Sequence, residues 1–198
     1  MASPENYNYL KKSAAAAGVF LAVFLIILKF IAFLKTDSLA IFSSLADSVT
    51  DLLASMISFI AVYFSTKPAS RSHRYGYGKS EALSAFLQAV FVGASGFFVI
   101  IDGIKRLIHP IQIEQTGMGI AVMLFSIFAT FLLVIYQTYV ARKTQSLAIK
   151  ADTAHYTVDF LTNSMVIVSL ILVHFFGFIY FDVIAALFIS AYLLYNAY

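Results

Sequence analysis

Long apolar segments alternate with short polar ones along the whole of this sequence. An α-helix rises about 1.5 Å per residue, so about 20 consecutive apolar residues cross the hydrocarbon core of a bilayer. Six segments reach that length, and we expect each of them to form a transmembrane helix. The predicted spans are residues 13–34, 39–64, 81–107, 117–140, 151–176 and 178–198.

The composition supports this interpretation. Of the 198 residues, 61% are hydrophobic and 12% are charged, whereas soluble domains are about half apolar and about a quarter charged. The first span is far longer than the hydrophobic region of a cleavable signal peptide, so we expect none. The sequence contains no cysteine, which excludes disulfides and thiolate metal sites. Any bound metal therefore needs aspartate, glutamate, histidine or backbone oxygen as ligands.

Lysine and arginine are unevenly distributed between the two sides of the predicted bundle. One side holds Lys11, Lys12, Lys67, Arg71, Arg74, Lys79, Arg142, Lys143 and Lys150. The other side holds Lys35, Lys105 and Arg106. The excess of these residues marks the cytoplasmic side. We therefore predict an all-α integral membrane protein, a six-transmembrane-helix bundle with both termini in the cytoplasm, in which residues 1–198 form one transmembrane domain.

Few charged residues lie within the predicted spans, and Lys29 in the first span is one of them. A lysine one or two turns from the end of a span can extend its flexible side chain to the membrane surface. We therefore expect Lys29 to snorkel to the interface rather than to form an ion pair in the interior.

Two pairs of metal-ligating residues lie inside predicted spans at helical spacing. Asp47 and Asp51 are four residues apart in the second span, and His155 and Asp159 repeat that spacing in the fifth. Residues at i and i+4 share one helix face, and unpaired carboxylates at bilayer depth are costly. Four oxygen and nitrogen ligands suit a borderline divalent metal such as zinc in tetrahedral coordination. We therefore predict a metal site at these four residues, in a transporter of divalent metal ions.

The charge of this site indicates a mechanism. Three ionised aspartates give −3, and a divalent cation leaves −1, so an empty site favours protonation. His155 is the natural proton carrier, since its ordinary pKa lies near neutrality and its neutral form binds metal. The sequence thus suggests exchange of a metal ion for protons at one site.

Other functions remain compatible with the same residues. A passive metal channel also uses acidic side chains, and a membrane protein could hold a metal structurally without moving it. Asp47 and Asp51 could also serve as a polar contact between helices, and His155 and Asp159 could form a buried hydrogen bond with each other. We expect no enzyme, because no nucleophile–base arrangement and no open-ligand motif such as H-E-x-x-H accompanies the four residues.

Six spans with these ligand pairs resemble the cation diffusion facilitator family, and in particular its bacterial zinc and ferrous-iron efflux branch. The resemblance extends over essentially the whole chain. It is carried by the segments DSLA (37–40), SLADS (44–48), HRYGYGKSE (73–81) and ADTAH (151–155).

The resemblance implies a multi-pass homodimer in the bacterial inner (cytoplasmic) membrane, with metal ions, protons and lipid rather than nucleic acid as partners. It implies export of zinc, and in some members of cadmium, iron or cobalt, in exchange for protons. The family's ligand positions fall on Asp47, Asp51, His155 and Asp159. An acid stands at the position of His155 in manganese-selective members, so the histidine indicates zinc-like selectivity.

Two departures from the family pattern matter. Bacterial relatives hold a second, weaker metal site in the loop after the second span, with an acid and two histidines. Here His73 matches one histidine, Tyr77 replaces the other and Ser70 lies near the acid, so we expect this site to be weak or absent. The family usually continues after the sixth span into a cytoplasmic α/β domain. We expect that domain to be absent here, either by truncation or because this is a short member, which leaves Lys79 without its counterpart there.

Overall fold

A computed structural model describes residues 4–36, 39–68, 70, 74–108 and 117–176. These residues form five α-helices and contain no β-strand, which confirms the all-helical prediction for the described part of the chain. The helices are α1 (Pro4–Thr36), α2 (Leu39–Ser65), α3 (Lys79–Ile108), α4 (Gly117–Thr144) and α5 (Leu147–Phe176). The predicted sixth span, residues 178–198, lies outside the described residues.

Three of these helices are long and apolar enough to cross a membrane. The qualifying segments are Glu5–Lys35 in α1, Ser44–Ser65 in α2 and Ile120–Thr144 in α4. Large apolar side chains such as Phe20, Phe128 and Ile135 are exposed on the outside of the bundle, as expected of a surface that faces lipid. The count of six spans and the cytoplasmic position of both termini remain predictions.

Several helices extend beyond the apolar segments that predict them. Helix α1 begins at Pro4 rather than at residue 13, and α4 continues to Thr144 rather than to residue 140. Helix α5 begins at Leu147 because Ser146 caps it: the Ser146 hydroxyl accepts a hydrogen bond from the backbone N–H of Ile149 at 3.4 Å. Hydrophobicity identifies the membrane-crossing part of a helix and not its polar extensions.

Helix α5 is central to the described bundle, since it packs against all four other helices. At one end of the bundle, buried apolar residues, most of them alanine or valine, pack α1, α2, α4 and α5 together. They are Ala14, Ala15, Ala61, Val62, Val140, Ala148 and Ile149. This packing places α2 and α5, the two helices that carry the predicted metal ligands, next to each other.

Glu81 connects several helices at the same end of the bundle. Its Oε1 accepts hydrogen bonds from Lys11 Nζ at 2.9 Å and from Ser65 Oγ at 2.8 Å. Its Oε2 accepts from Ser146 Oγ at 2.7 Å and from the backbone N–H of Leu147 at 3.1 Å. Glu81 is only 7% exposed, so its charge is compensated by an ammonium, two hydroxyls and the N-terminus of α5. The carboxylate thereby joins α1, the end of α2, α3 and the turn between α4 and α5.

The Glu81→Ala variant is expected to lose about 3 kcal/mol of stability, the range found when one partner of a buried ion pair is removed. The loss arises because Lys11, Ser65 and Ser146 keep buried or half-buried polar groups without their acceptor. The measurement is thermal unfolding of the purified protein in detergent. Glu5→Ala is the control, since Glu5 is exposed in the first turn of α1. Equal losses in both variants would contradict the prediction.

Candidate metal centre

Three potential metal ligands converge between α2 and α5. His155 Nε2 lies 3.3 Å from Asp51 Oδ1 and 3.5 Å from Asp159 Oδ2. One ligand atom from each of Asp51, His155 and Asp159 lies within 4.8 Å of the other two. Ligands about 2.1 Å from a tetrahedrally coordinated zinc ion lie about 3.4 Å apart. The two distances from His155 Nε2 already match this spacing, and the largest separation in the group needs to shorten by at most about 1.4 Å to hold one ion.

The helical register explains this convergence. His155 and Asp159 are one turn apart on α5, so both side chains project from the face that packs against α2. His155 is nearly buried, with 3% of its side chain exposed, whereas Asp51 and Asp159 keep 17% and 26%. His155 is thus enclosed by protein, whereas the Asp51 and Asp159 side chains are partly exposed.

Two buried polar atoms of this cluster, His155 Nδ1 and Asp159 Oδ2, have no hydrogen-bond partner within the described part of the chain. A buried acceptor without a partner is costly. A cation held between Asp159 and His155 Nε2 would satisfy the free carboxylate oxygen. The donor set, two carboxylates and an imidazole without sulfur, suits zinc and its neighbours among the divalent metals.

Asp47, the fourth predicted ligand, does not belong to this group of three. It lies one turn before Asp51 on α2, but its side chain is exposed. Asp51 is nevertheless among the charges that act on Asp47, as expected for carboxylates at i and i+4. The structure therefore brings together three of the four predicted ligands and leaves Asp47 exposed and outside the group.

The prediction for Lys29 is wrong. Lys29 does not snorkel to a membrane surface but is 7% exposed. Its Nζ donates to Ser48 Oγ at 2.6 Å and to the backbone carbonyl of Ser44 at 3.0 Å, both on α2. The physical reason is that α2 packs against α1 and offers acceptors within reach of the ammonium. Ser48, a polar residue within the apolar second span, was the signal that could have indicated this partner.

A second polar cluster lies beside the candidate centre. Asp152 is fully buried, accepts from Gln137 Nε2 at 2.6 Å and from Ser55 Oγ at 3.4 Å, and thus links α5 to α4 and α2. The Tyr156 hydroxyl lies 2.7 Å from Ser55 Oγ and donates to the carbonyl of Gly18 on α1 at 3.1 Å. A Cβ on Gly18 would lie 3.0 Å from Asp152 Oδ2, so glycine permits this close approach. The cluster holds four helices together next to the ligands.

Further polar residues of the third and fifth predicted spans and of the loop after the second span are placed as follows. Asn163 lies on α5, and its side-chain amide donates to the backbone carbonyl of Asp159 at 2.8 Å. His73 lies outside the described residues. The hydroxyls of Ser70 and Tyr77, which stand in the same loop, lie 3.4 Å apart. For Asp102, Lys105 and Arg106 the structure describes the helix but not the side chains.

Comparison with known proteins supports the resemblance found in the sequence. Residues 15–198 match the cation efflux transmembrane domain. The cation-efflux pump FieF of Serratia proteamaculans is 39% identical over 192 residues, which make up 97% of this chain and 64% of the pump. FieF of Yersinia enterocolitica is also 39% identical, and FieF of Klebsiella pneumoniae is 37% identical over 193 residues. The chain spans 64% of the length of each of these relatives.

The family match covers nearly the whole chain, and the relatives share more than a third of its residues. The bundle of long helices with carboxylates and a histidine in its interior agrees with both findings. The chain belongs to the cation efflux family, also called the cation diffusion facilitators, a family of transporters rather than of enzymes.

Proposed function

We propose that this protein exports a divalent metal ion, zinc in the first place, in exchange for protons. The observation that carries the proposal is the convergence of Asp51, His155 and Asp159 between two neighbouring helices of a membrane bundle. Asp47 supplies the fourth ligand by turning toward Asp51 when the metal enters. Four ligands complete the tetrahedral coordination that zinc prefers.

Competition for one set of ligands supplies the exchange. A metal binds carboxylates and neutral imidazole, so the ion and protons occupy the same atoms alternately. Without the metal, Asp51 and Asp159 leave two carboxylates facing one histidine at 3.3 and 3.5 Å. Protonation of His155 then replaces part of the missing positive charge. Protons that arrive from one side of the membrane thereby release the metal bound from the other.

The donor set favours zinc but accommodates related ions. Imidazole together with carboxylates suits zinc, and cadmium, iron(II) and cobalt(II) are the alternatives. The relatives carry the name cation-efflux pump without specifying the metal. We place the protein in the bacterial inner membrane, with the bilayer, metal ions and protons as its partners.

A homodimer is the proposed assembly. The described bundle exposes a broad apolar surface on its outside, which lipid or a second copy can cover. On α3, a Cβ added at Gly93 would meet no atom of the described residues within 4 Å. This face therefore has room for the close approach of a helix from another subunit.

The decisive experiment measures zinc flux into proteoliposomes under an imposed pH gradient. The proposal expects zinc to accumulate against its own gradient, with protons flowing in the opposite direction, and accumulation to stop when an ionophore removes the pH gradient. Flux that ignores the pH gradient would instead identify a passive channel. Zinc binding without any flux would identify a protein that holds the metal without transporting it.

A further inference from the structure

The buried position of Lys29 calls for a physical reason. Its ammonium lies in the interior of a bundle of apolar helices, where an isolated charge is expensive. Its two hydrogen-bond acceptors, the Ser48 hydroxyl and the Ser44 carbonyl, are neutral. Neutral acceptors satisfy the N–H donors but do not balance the charge.

The balancing charges belong to the candidate metal centre. Among the described residues, the carboxylates near enough to attract the Lys29 ammonium are those of Asp51, Asp47 and Asp159. The hydrogen bond to Ser48 holds the ammonium at the residue that directly follows Asp47 and stands three before Asp51. Lys29 is therefore fixed beside the centre from a third helix, α1, which contributes no ligand to the group of three.

We propose that Lys29 is a resident cation that sets the charge of the metal centre, so that one divalent ion neutralises it. This inference rests on the proposed function. Three aspartates contribute −3 and Lys29 contributes +1, which leaves −2, and one divalent ion brings the sum to zero. Asp152 does not enter this sum, because its carboxylate is bound by Gln137 and Ser55 in the neighbouring cluster.

A neutral loaded centre has two consequences for transport. A monovalent ion leaves the centre at −1 in a low-dielectric environment, so the charge balance disfavours sodium and potassium. Lys29 also repels the bound metal, which limits its affinity and speeds its release. Lys29 thus acts as a positioning residue: it does not bind the metal but determines how tightly the aspartates hold it.

A purely structural role for Lys29 predicts the opposite effect of its removal. If Lys29 only tied α1 to α2, its loss would loosen the ligands and weaken metal binding. If it acts through its charge, its loss removes a repulsion and tightens metal binding. The direction of the change in zinc affinity therefore separates the two roles.

The experiment is a zinc titration of the purified full chain in detergent, with Lys29→Gln, Lys29→Met and Lys29→Arg beside the wild type. We expect the two neutral variants to bind zinc about tenfold more tightly, a change that needs only about 1.4 kcal/mol, and the arginine variant to stay close to wild type. Glutamine keeps hydrogen-bonding capacity and methionine does not, so agreement between them isolates the charge. In proteoliposomes, Lys29→Gln should lower both KM and kcat for zinc, because tighter binding slows release.

Lys12→Gln is the matched control. Lys12 lies on the same helix, about 25 Å along its axis from Lys29 by the helical rise, and is exposed with its Nζ 5.6 Å from the ring centroid of Tyr63. The Lys12→Gln variant should bind zinc with the same affinity as the wild type. Unchanged or weaker zinc binding in both neutral Lys29 variants would overturn the role of Lys29 and leave the metal centre intact. A wild-type protein that binds no zinc would overturn the proposed function and this inference with it.

Discussion

The Asp51→Asn variant is expected to bind zinc at least about 100-fold more weakly than the wild type and to lose zinc flux. Asp51 Oδ1 is the carboxylate oxygen nearest to His155 Nε2, at 3.3 Å, and asparagine keeps its size while removing its charge. Mutation of residues that merely orient metal ligands already costs about 10- to 100-fold in affinity, so loss of a ligand should cost at least the upper end. Zinc titration and proteoliposome flux measure the two effects.

Thr50→Val is the matched control for this variant. Thr50 precedes Asp51 on α2, is exposed, and its hydroxyl reaches only the carbonyl of Ala46 on its own helix, at 3.4 Å. The substitution is nearly isosteric and removes a polar group close to the centre without touching a ligand. We expect the Thr50→Val variant to bind zinc with the affinity of the wild type. If Asp51→Asn bound zinc as tightly as Thr50→Val, Asp51 would not be a ligand.

The His155→Asp variant is expected to change the choice of metal. Imidazole favours zinc over harder ions, whereas carboxylates favour manganese and magnesium. Replacing the histidine gives a centre of aspartates only, so the ratio of zinc affinity to manganese affinity should fall by about tenfold or more. Parallel titrations with zinc and manganese measure this ratio, and flux of each ion tests whether transport follows binding.

Thr157→Val controls for substitution on the same helix, because the Thr157 hydroxyl bonds to the carbonyl of Thr153 one turn earlier, at 2.7 Å, and not to the centre. The ratio of zinc affinity to manganese affinity should not change in the Thr157→Val variant. An unchanged zinc-to-manganese ratio in His155→Asp would show that the imidazole does not select the metal. That result would weaken the choice of zinc but not the assignment of Asp51 and Asp159.

The features that depend on spacing along one helix were predictable from the sequence. The first five of the six apolar segments correspond to α1 to α5, because a helix must keep about 20 apolar residues within the bilayer. The spacing of His155 and Asp159 placed both on one face of α5. Their approach to Asp51 was expected for a second reason: carboxylates inside a membrane are costly unless they share a compensating cation.

The features that depend on contacts between distant helices were not predictable in this way. Lys29 and Ser48 are 19 positions apart, and Glu81 and Ser146 are 65 apart. A lysine in an apolar segment is equally compatible with snorkelling and with an internal acceptor, and the pairing of α1 with α2 decides between them. Likewise, Asp152 shares a face of α5 with His155 in the sequence pattern, but Gln137 of α4 engages it in a separate cluster.

The hydrogen bonds of Glu81 also bear on the order in which the chain is assembled. Lys11 and Ser65 precede Glu81 during synthesis, whereas Ser146 and Leu147 follow it by 65 and 66 residues. Of the partners described, the carboxylate therefore gains Ser146 and Leu147 only when synthesis has reached the start of α5. The contacts that join this end of the bundle are complete only from that point on.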